Sequence, residues 1–189
     1  MAIIDPNYKR KSYIEIGEIY FWTATITNWN HLLKEEVYKE IIIGSLRTLS
    51  ERELIDVFAF APKAFGVLNY IHLIWRTNKL NGKETAQASF LKFTAHEFKK
   101  MLRQDAGELS KYAVEAHNKK YEFWQRDSLA IHLYSRQVML QKLNYIHLNP
   151  LAPHWLLADD PCRYKYSSAA FYECNIKNFD FLKDIREEF

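Results

Sequence analysis

The chain contains few glycines and prolines, the residues that are common in linkers between domains. Its 189 residues include five glycines and five prolines, which leave little room for long linkers. No apolar run approaches the ~20 residues of a membrane-spanning helix, and no signal-peptide pattern opens the chain. We therefore expect one soluble, cytoplasmic domain.

Cysteine is also scarce. Cys162 and Cys174 are the only two, and neither belongs to a C-x-x-C pair or lies near closely spaced histidines. The usual sequence patterns of a zinc site are therefore missing. In a cytoplasmic protein we expect both residues to be reduced thiols.

A large excess of charge of one sign is missing as well. Lys and Arg number 26 and Asp and Glu 23, and the net charge of +3 is too small to identify a nucleic-acid partner. Residues 173–189 hold five acidic and three basic residues, so the rest of the chain has 23 basic and 18 acidic ones. That larger part is mildly basic and rich in aromatic residues.

What the chain has is enough apolar material, 48% of residues, to fill a core. Periodicity predicts a strand at 18–27, a helix at 34–53, strands at 54–61 and 67–76 joined across 62–66, a helix at 85–104, a strand near "AIHLYS" and a final helix. The order β-α-β-β-α-β-α predicts a ferredoxin-like α+β sandwich, with an antiparallel sheet and helices mainly on one face. We expect an N-terminal arm (1–12), one domain (13–172) and a C-terminal appendage (173–189).

The hexapeptide LNYIHL occurs twice, at 68–73 and at 143–148, but the flanks of the two copies differ. The first copy follows residues broken by Pro62 and Gly66, and we interpret it as a buried strand with Tyr70 and His72 on one face. The second continues a helical stripe of Met139, Leu143 and Ile146, with Tyr145 off the stripe and Asn149 one turn later. On this helix we expect His147 to be a hydrogen-bonded core residue. Most single tyrosines on helices are packing residues, but an exposed one can act as a nucleophile.

Basic residues mix with aromatic ones in several segments, a composition that suits single-stranded nucleic acid. On the helix at 85–104, basic side chains recur at spacings of four, three and four residues, which places them on one edge. An ordinary solvated helix face is the alternative. The candidate DNA-binding residues are Lys92, Lys99, Arg103, Lys119, Lys120, Arg126, Arg163 and Lys165.

The stretch "QKLNYIHLNPLAPHWLLADDPCRYKYSSAAFY" resembles the REP-associated tyrosine transposases, a branch of the single-tyrosine HUH transposases. Members of that family read Y-I-H-x-N-P, then a Tyr-rich segment and S-S-A. "FWQRD" and "TATIT" also fit, so the resemblance covers about residues 13–171. It implies that Tyr145 is the nucleophile and that Asn149 helps to hold a Mg²⁺ or Mn²⁺ ion.

The resemblance departs from the family pattern at the other metal ligands. These are two histidines in a strand that reads M-P-N-H-x-H-L, whereas this chain has "VLNYIHL". His72 matches the second histidine, and Tyr70 stands in place of the first. A phenol with a pKa near 10 is a poor ligand for Mg²⁺, so the resemblance implies a weakened metal site on His72 and Asn149, with Tyr70 in the position of the missing histidine ligand.

The family's activity implies cleavage of single-stranded or hairpin DNA through a 5′-phosphotyrosine intermediate, followed by strand transfer, in a monomer or a homodimer. A hairpin-DNA-binding module of the same ancestry that does not cut is the main alternative. An RNA-binding ferredoxin-like domain ranks below both, because "VLNYIHLIW" lacks the aromatic pattern expected on its strands. A metal-dependent phosphodiesterase would require more acidic or histidine ligands than the sequence shows.

Overall fold

The computed structural model describes residues 14–65, 68–126, 128–148 and 160–188. Its strands are β1 Ile19–Thr25, β2 Ile55–Phe65, β3 Leu68–Thr77, β4 Ala113–Ala116, β5 Lys119–Tyr121 and β6 Leu129–His132. Its α-helices are α1 Glu36–Glu51, α2 Ala86–Leu102, α3 Ala106–Ser110, α4 Arg136–Leu148 and α5 Ala169–Cys174. Short 3₁₀ turns at Thr27–Trp29, Leu32–Lys34, Pro161–Arg163 and Ile185–Glu187 complete the described part of the chain.

Four strands form the main sheet in the order β2-β3-β1-β6, and every neighbouring pair in it is antiparallel. This confirms the predicted ferredoxin-like α+β fold. The helix at 86–102 begins where the sequence predicts, because the Thr85 hydroxyl accepts a hydrogen bond from Ala88 N–H and caps the first turn. The separate hairpin of β4 and β5 was not predicted from the sequence.

The sheet has a core on each face. On one face, α1 and α2 cover a large apolar cluster in which the Trp22 and Trp75 rings stack 5.0 Å apart and Phe90 packs edge-on against Trp22. On the other face, α4 contributes Met139, Leu143 and Ile146 to a smaller cluster. The alternation of side chains along β3 therefore divides the strand between two apolar environments.

Two local predictions need correction. Helical spacing in 34–53 predicts an apolar stripe of Val37, Ile41, Leu46 and Leu49, but Val37 is exposed, and Tyr38 and Ile42 are buried together with Leu46 and Leu49. The break predicted at Pro62 is also wrong, because β2 runs through it and Pro62 pairs with Ile71. Since β2 is an edge strand, its missing N–H breaks no ladder to a further strand.

The outer edge of β2 is covered by hydrogen bonds from the C-terminal part of the chain. The Ser168 side chain accepts from Phe60 N–H (3.0 Å), and Ser168 N–H donates to the Phe60 carbonyl (3.0 Å). Farther along the edge, the Tyr164 hydroxyl donates to the Pro62 carbonyl (2.6 Å). Tyr172 O–H and Lys183 N–H occupy the carbonyls of Phe58 and Val57. An edge that would otherwise be open to another strand is thus closed.

The predicted C-terminal appendage contributes directly to the core. Its buried apolar side chains are Phe179, Phe181, Leu182 and Ile185. An ion network fixes its end, because Arg76 on β3 bonds both Asp56 (2.6 Å) and Glu188 (2.6 Å). The described residues of 173–188 therefore pack as part of the same body as the sheet.

Cys162 and Cys174 form a disulfide, with their Cα atoms 6.4 Å apart. The expectation of two reduced thiols is therefore wrong, since the 3₁₀ turn at Pro161–Arg163 packs against α5 and brings the two sulfur atoms together. In the part of the chain that the structure describes, no helix is long and apolar enough to cross a membrane.

The two copies of LNYIHL fold as predicted, the first as a strand and the second as a helix. Because one copy is a strand and the other a helix, their asparagines differ in burial. Asn69 is fully buried and its side-chain oxygen accepts a hydrogen bond from Leu33 N–H (2.8 Å), whereas Asn144 is exposed. The asparagine of the strand copy therefore has a structural role, a buried hydrogen bond, and the exposed asparagine of the helix copy has no role of that kind.

Replacing Asn69 with Ala should lower the free energy of unfolding by about 1–3 kcal/mol, because the buried Leu33 N–H would lose its acceptor. Replacing Asn144 with Ala is the matched control, and it should change the free energy by less than about 0.5 kcal/mol. Urea denaturation of the two variants measures the difference. Equal effects at the two positions would contradict the assignment.

Candidate active site and nucleic-acid groove

The candidate site lies on the sheet face that α4 covers. Residues directly opposite one another on neighbouring strands point to the same side. His72 on β3 lies opposite Thr23 on β1, and Tyr70 lies opposite Lys63 on β2. The alternation predicted for the first hexapeptide thus places Tyr70 and His72 on one face, and their rings lie 4.4 Å apart.

His72 is a buried, neutral imidazole. Its Nδ1 lies 2.8 Å from the Thr23 hydroxyl oxygen, and its Nε2 has no hydrogen-bond partner among the described residues. Burial, together with the positive charges of Lys63 and Lys142, lowers the pKa of His72 to about 3. At neutral pH this ring carries no charge.

Tyr145 stands above this imidazole on α4. Its side chain is 48% exposed, whereas Leu143 and Ile146, the nearest residues of the apolar stripe on this helix, are buried. Its ring lies 5.3 Å from that of His72 and 6.0 Å from that of Phe21, and the Lys142 ammonium lies 5.8 Å from its centre. The helix therefore presents an accessible phenol beside a buried ring and a cation.

His147 attaches this helix to the edge of the sheet. It is 1% exposed, as expected for a core histidine, and its Nε2 lies 2.9 Å from the Ser168 hydroxyl oxygen. That hydroxyl also contacts the carbonyl of Phe60 (3.3 Å) on β2. Two elements of the stretch that carries the family resemblance, Y-I-H and S-S-A, thus meet in one hydrogen-bonded junction.

Lys63 was missed by the sequence analysis. It is 2% exposed, and its ammonium nitrogen lies 5.8 Å from the centre of the Tyr70 ring. Burial lowers the pKa of Lys63 to about 8. The signal was present in the sequence, since Lys63 follows Ala61 at a spacing of two and continues the alternation of β2. The assumption that Pro62 ends the strand concealed it.

The described part of the site does not fit a divalent metal ion. It offers one neutral imidazole, His72, beside a phenol, Tyr70, and two cationic side chains whose charges would repel a metal ion. Among the described residues, no group of three His, Cys, Asp or Glu side chains could hold a metal. Asn149, the third ligand that the resemblance implies, lies outside the described residues.

A second feature is an open groove of about 620 Å³ between α2 and the β4–β5 hairpin. Four of the eight candidate DNA-binding residues line it, namely Lys92, Lys99, Lys119 and Lys120. The Lys99 ammonium lies 5.2 Å from the centre of the Tyr121 ring, and His96 and His117 also line the groove. The hairpin that the sequence analysis missed is therefore what turns a basic helix edge into a groove.

The other four candidate residues lie outside the lining of this groove. Arg103 caps the C-terminal end of α2 and is exposed, and Arg126 pairs with Glu122 at 3.3 Å. Arg163 lies in the 3₁₀ turn that precedes α5, and Lys165 pairs with Glu40 at the start of α1 at 3.1 Å. The eight candidate DNA-binding residues therefore lie on more than one surface of the protein.

Acid should destabilise the protein partly through His72. Its pKa is about 3 when folded and about 6.5 when unfolded, so between these values only the unfolded state binds the proton. The free energy of unfolding should fall by up to ~1.4 kcal/mol per pH unit from this residue as pH decreases from 6.5 towards 3. NMR of the His72 imidazole, assigned with a His72→Gln variant, should show no titration between pH 8 and 5. A ring that titrates near pH 6.5 would contradict its burial.

The structure is similar to a solved structure of a REP-associated tyrosine transposase bound to a REP hairpin. The TM-score is 0.58 at 13% sequence identity, and the match covers 92% of this chain and 88% of that chain. No protein-family model matches the chain. No curated protein matches it in sequence. At this identity the likeness shows a shared fold, which is the fold that the sequence resemblance implies.

Proposed function

We propose that the protein binds single-stranded DNA folded into a hairpin and that Tyr145 cuts the bound strand. The observation that carries this proposal is the exposed Tyr145 phenol, which stands over the buried His72 imidazole beside two lysines. A packing tyrosine would instead bury its ring. The fold shared with a hairpin-bound tyrosine transposase supports the choice of substrate.

The groove between α2 and the β4–β5 hairpin suits the DNA backbone. Lys99 and Lys120 provide ammonium groups at its walls, and the Tyr121 ring provides a surface on which a base can stack. Lys92 and Lys119 also belong to its lining, although both pair with a glutamate, Glu84 and Glu122 respectively. The local excess of cations favours a phosphate backbone over a neutral ligand.

The proposed reaction is a transesterification. The Tyr145 oxygen attacks the phosphorus of one DNA phosphodiester and gives up its proton to water. The bond from phosphorus to the 3′ oxygen breaks, and that oxygen takes a proton from water to become a free 3′ hydroxyl. The product is a 5′-phosphotyrosine linkage that a second 3′ hydroxyl can attack, which transfers the strand to a new end.

A hairpin-DNA-binding protein that does not cut is the second candidate. The observation that favours it is the poor fit of the described site residues to a divalent metal ion, because one imidazole and one phenol replace the two imidazoles that the resemblance implies. An RNA-binding sheet is less compatible with the structure, since α1 and α2 cover one face of the sheet and α4 packs on the other.

Removing two groove cations should weaken hairpin binding. The double change Lys99→Ala and Lys120→Ala should raise the dissociation constant about tenfold and reduce the slope of log affinity against log salt by about 1.5. The slope falls because fewer phosphate contacts form and fewer counterions are released on binding. The change Lys79→Ala and Lys177→Ala removes the same charge outside the groove and should leave both quantities nearly unchanged. Fluorescence anisotropy over a series of salt concentrations measures both. Equal effects would show that the groove is only a solvated surface.

Replacing Tyr145 with Phe should abolish a covalent DNA adduct while leaving hairpin binding intact, because only the attacking oxygen is removed. The DNA is labelled at its 3′ end, since the fragment joined to Tyr145 carries the 5′ phosphate, and the adduct is followed on denaturing gels. Tyr134→Phe is the matched control, because Tyr134 is 74% exposed just before α4. An adduct that survives Tyr145→Phe would refute this nucleophile. If the parent protein binds the hairpin but forms no adduct, the result favours the second candidate function, a hairpin-DNA-binding protein that does not cut.

A further inference from the structure

Lys63 is an unusual residue for the interior of a sheet. Lysine is seldom fully buried, because removing an ammonium group from water is costly. Here the side chain is 2% exposed, and it points to the face that carries Tyr70 and His72, since Lys63 is the cross-strand neighbour of Tyr70. A buried cation is thus built into the floor of the candidate active site.

Two positive charges converge on His72 from different elements. Lys63 approaches from the edge strand β2 and Lys142 from the helix α4, and both disfavour a further positive charge on the imidazole. The same field acts on any other cation placed there. It opposes a divalent metal ion and attracts an anion such as a DNA phosphate.

We propose that the Lys63 ammonium, with the His72 imidazole, holds a DNA phosphate beside Tyr145 and does so in place of a divalent metal ion. This inference rests on the proposed binding of hairpin DNA. It assigns to this site a phosphate-binding residue, Lys63, that lies outside the positions of the family's motif.

The contacts on the sheet face give this assignment a geometry. Lys63 N–H groups donate to phosphate oxygens as charge-assisted hydrogen bonds, which are stronger than neutral ones. The Thr23 hydroxyl oxygen lies 2.8 Å from His72 Nδ1, and in the tautomer in which this hydroxyl donates to Nδ1, Nε2–H donates to the phosphate. Because these donors are almost fully buried, each interaction with a phosphate is stronger than it would be in water.

The test uses the full chain with Tyr145→Phe, so that no strand can be cut, and a DNA stem-loop with a single-stranded extension. Binding is measured in EDTA and again in Mg²⁺. The dissociation constant should agree within a factor of two between the two conditions. In EDTA, Lys63→Met should raise it about tenfold and reduce the salt slope by about 1, whereas Lys63→Arg should stay within about threefold.

Lys79→Met is the control for loss of charge, because Lys79 lies beyond the opposite end of β3 and pairs with Glu53 on the surface. It should bind like the parent, and urea denaturation confirms that every variant is folded. If Lys63→Met binds as Lys79→Met does, or if binding requires Mg²⁺, this inference is overturned and the proposed function stands. If even the protein with Lys63 intact binds no stem-loop in either condition, both fail together.

Discussion

The covered edge of β2 is the constraint on which the rest of the site depends. Ser168 bonds both backbone groups of Phe60 on that edge and also contacts His147 on the helix that carries Tyr145. One hydroxyl therefore fixes the outer strand and the tyrosine helix relative to each other. Because Lys63 belongs to the same strand, the junction also sets the position of the buried cation relative to the phenol.

That arrangement decides the electrostatics of the site. The His72 imidazole is neutral, the charges of lysines on two elements act on it, and burial weakens the screening of those charges by water. In a metal-centred site, two imidazoles would concentrate lone pairs on one point and draw a cation in. The face described here does the opposite, since Tyr70 brings no strong ligand and Lys63 brings a charge of the same sign as the metal. The local field therefore favours an anion over a divalent cation, which is the condition that the proposed phosphate contact of Lys63 requires.

The fold was largely predictable because its signals are local. Period-two alternation in β1 and β3 and helical spacing in α2 and α4 each lie within one element, and the order of elements then limits the topology. The tyrosine and the histidine were found for the same reason. The β4–β5 hairpin was missed because its strands, of four and three residues, are too short to show a clear alternation. Lys63 was missed because its role is not local: a proline is compatible with β2 only as an edge strand, and that edge is covered by residues about a hundred positions later. The pairing of Cys162 with Cys174 likewise depends on how the turn packs against α5.

In the two copies of the hexapeptide, burial rather than sequence decides which side chains are accessible. In the strand copy, both faces are enclosed, so Tyr70 is 8% exposed and packs beside His72. In the helix copy, only one side meets the sheet, so His147 is buried as a structural bond and Tyr145 remains accessible. Both copies contain a buried histidine, but only the helix copy gives an exposed phenol, and the imidazole beside that phenol comes from the strand copy. The two meet at a ring distance of 5.3 Å because the sheet and the helix are joined through Ser168.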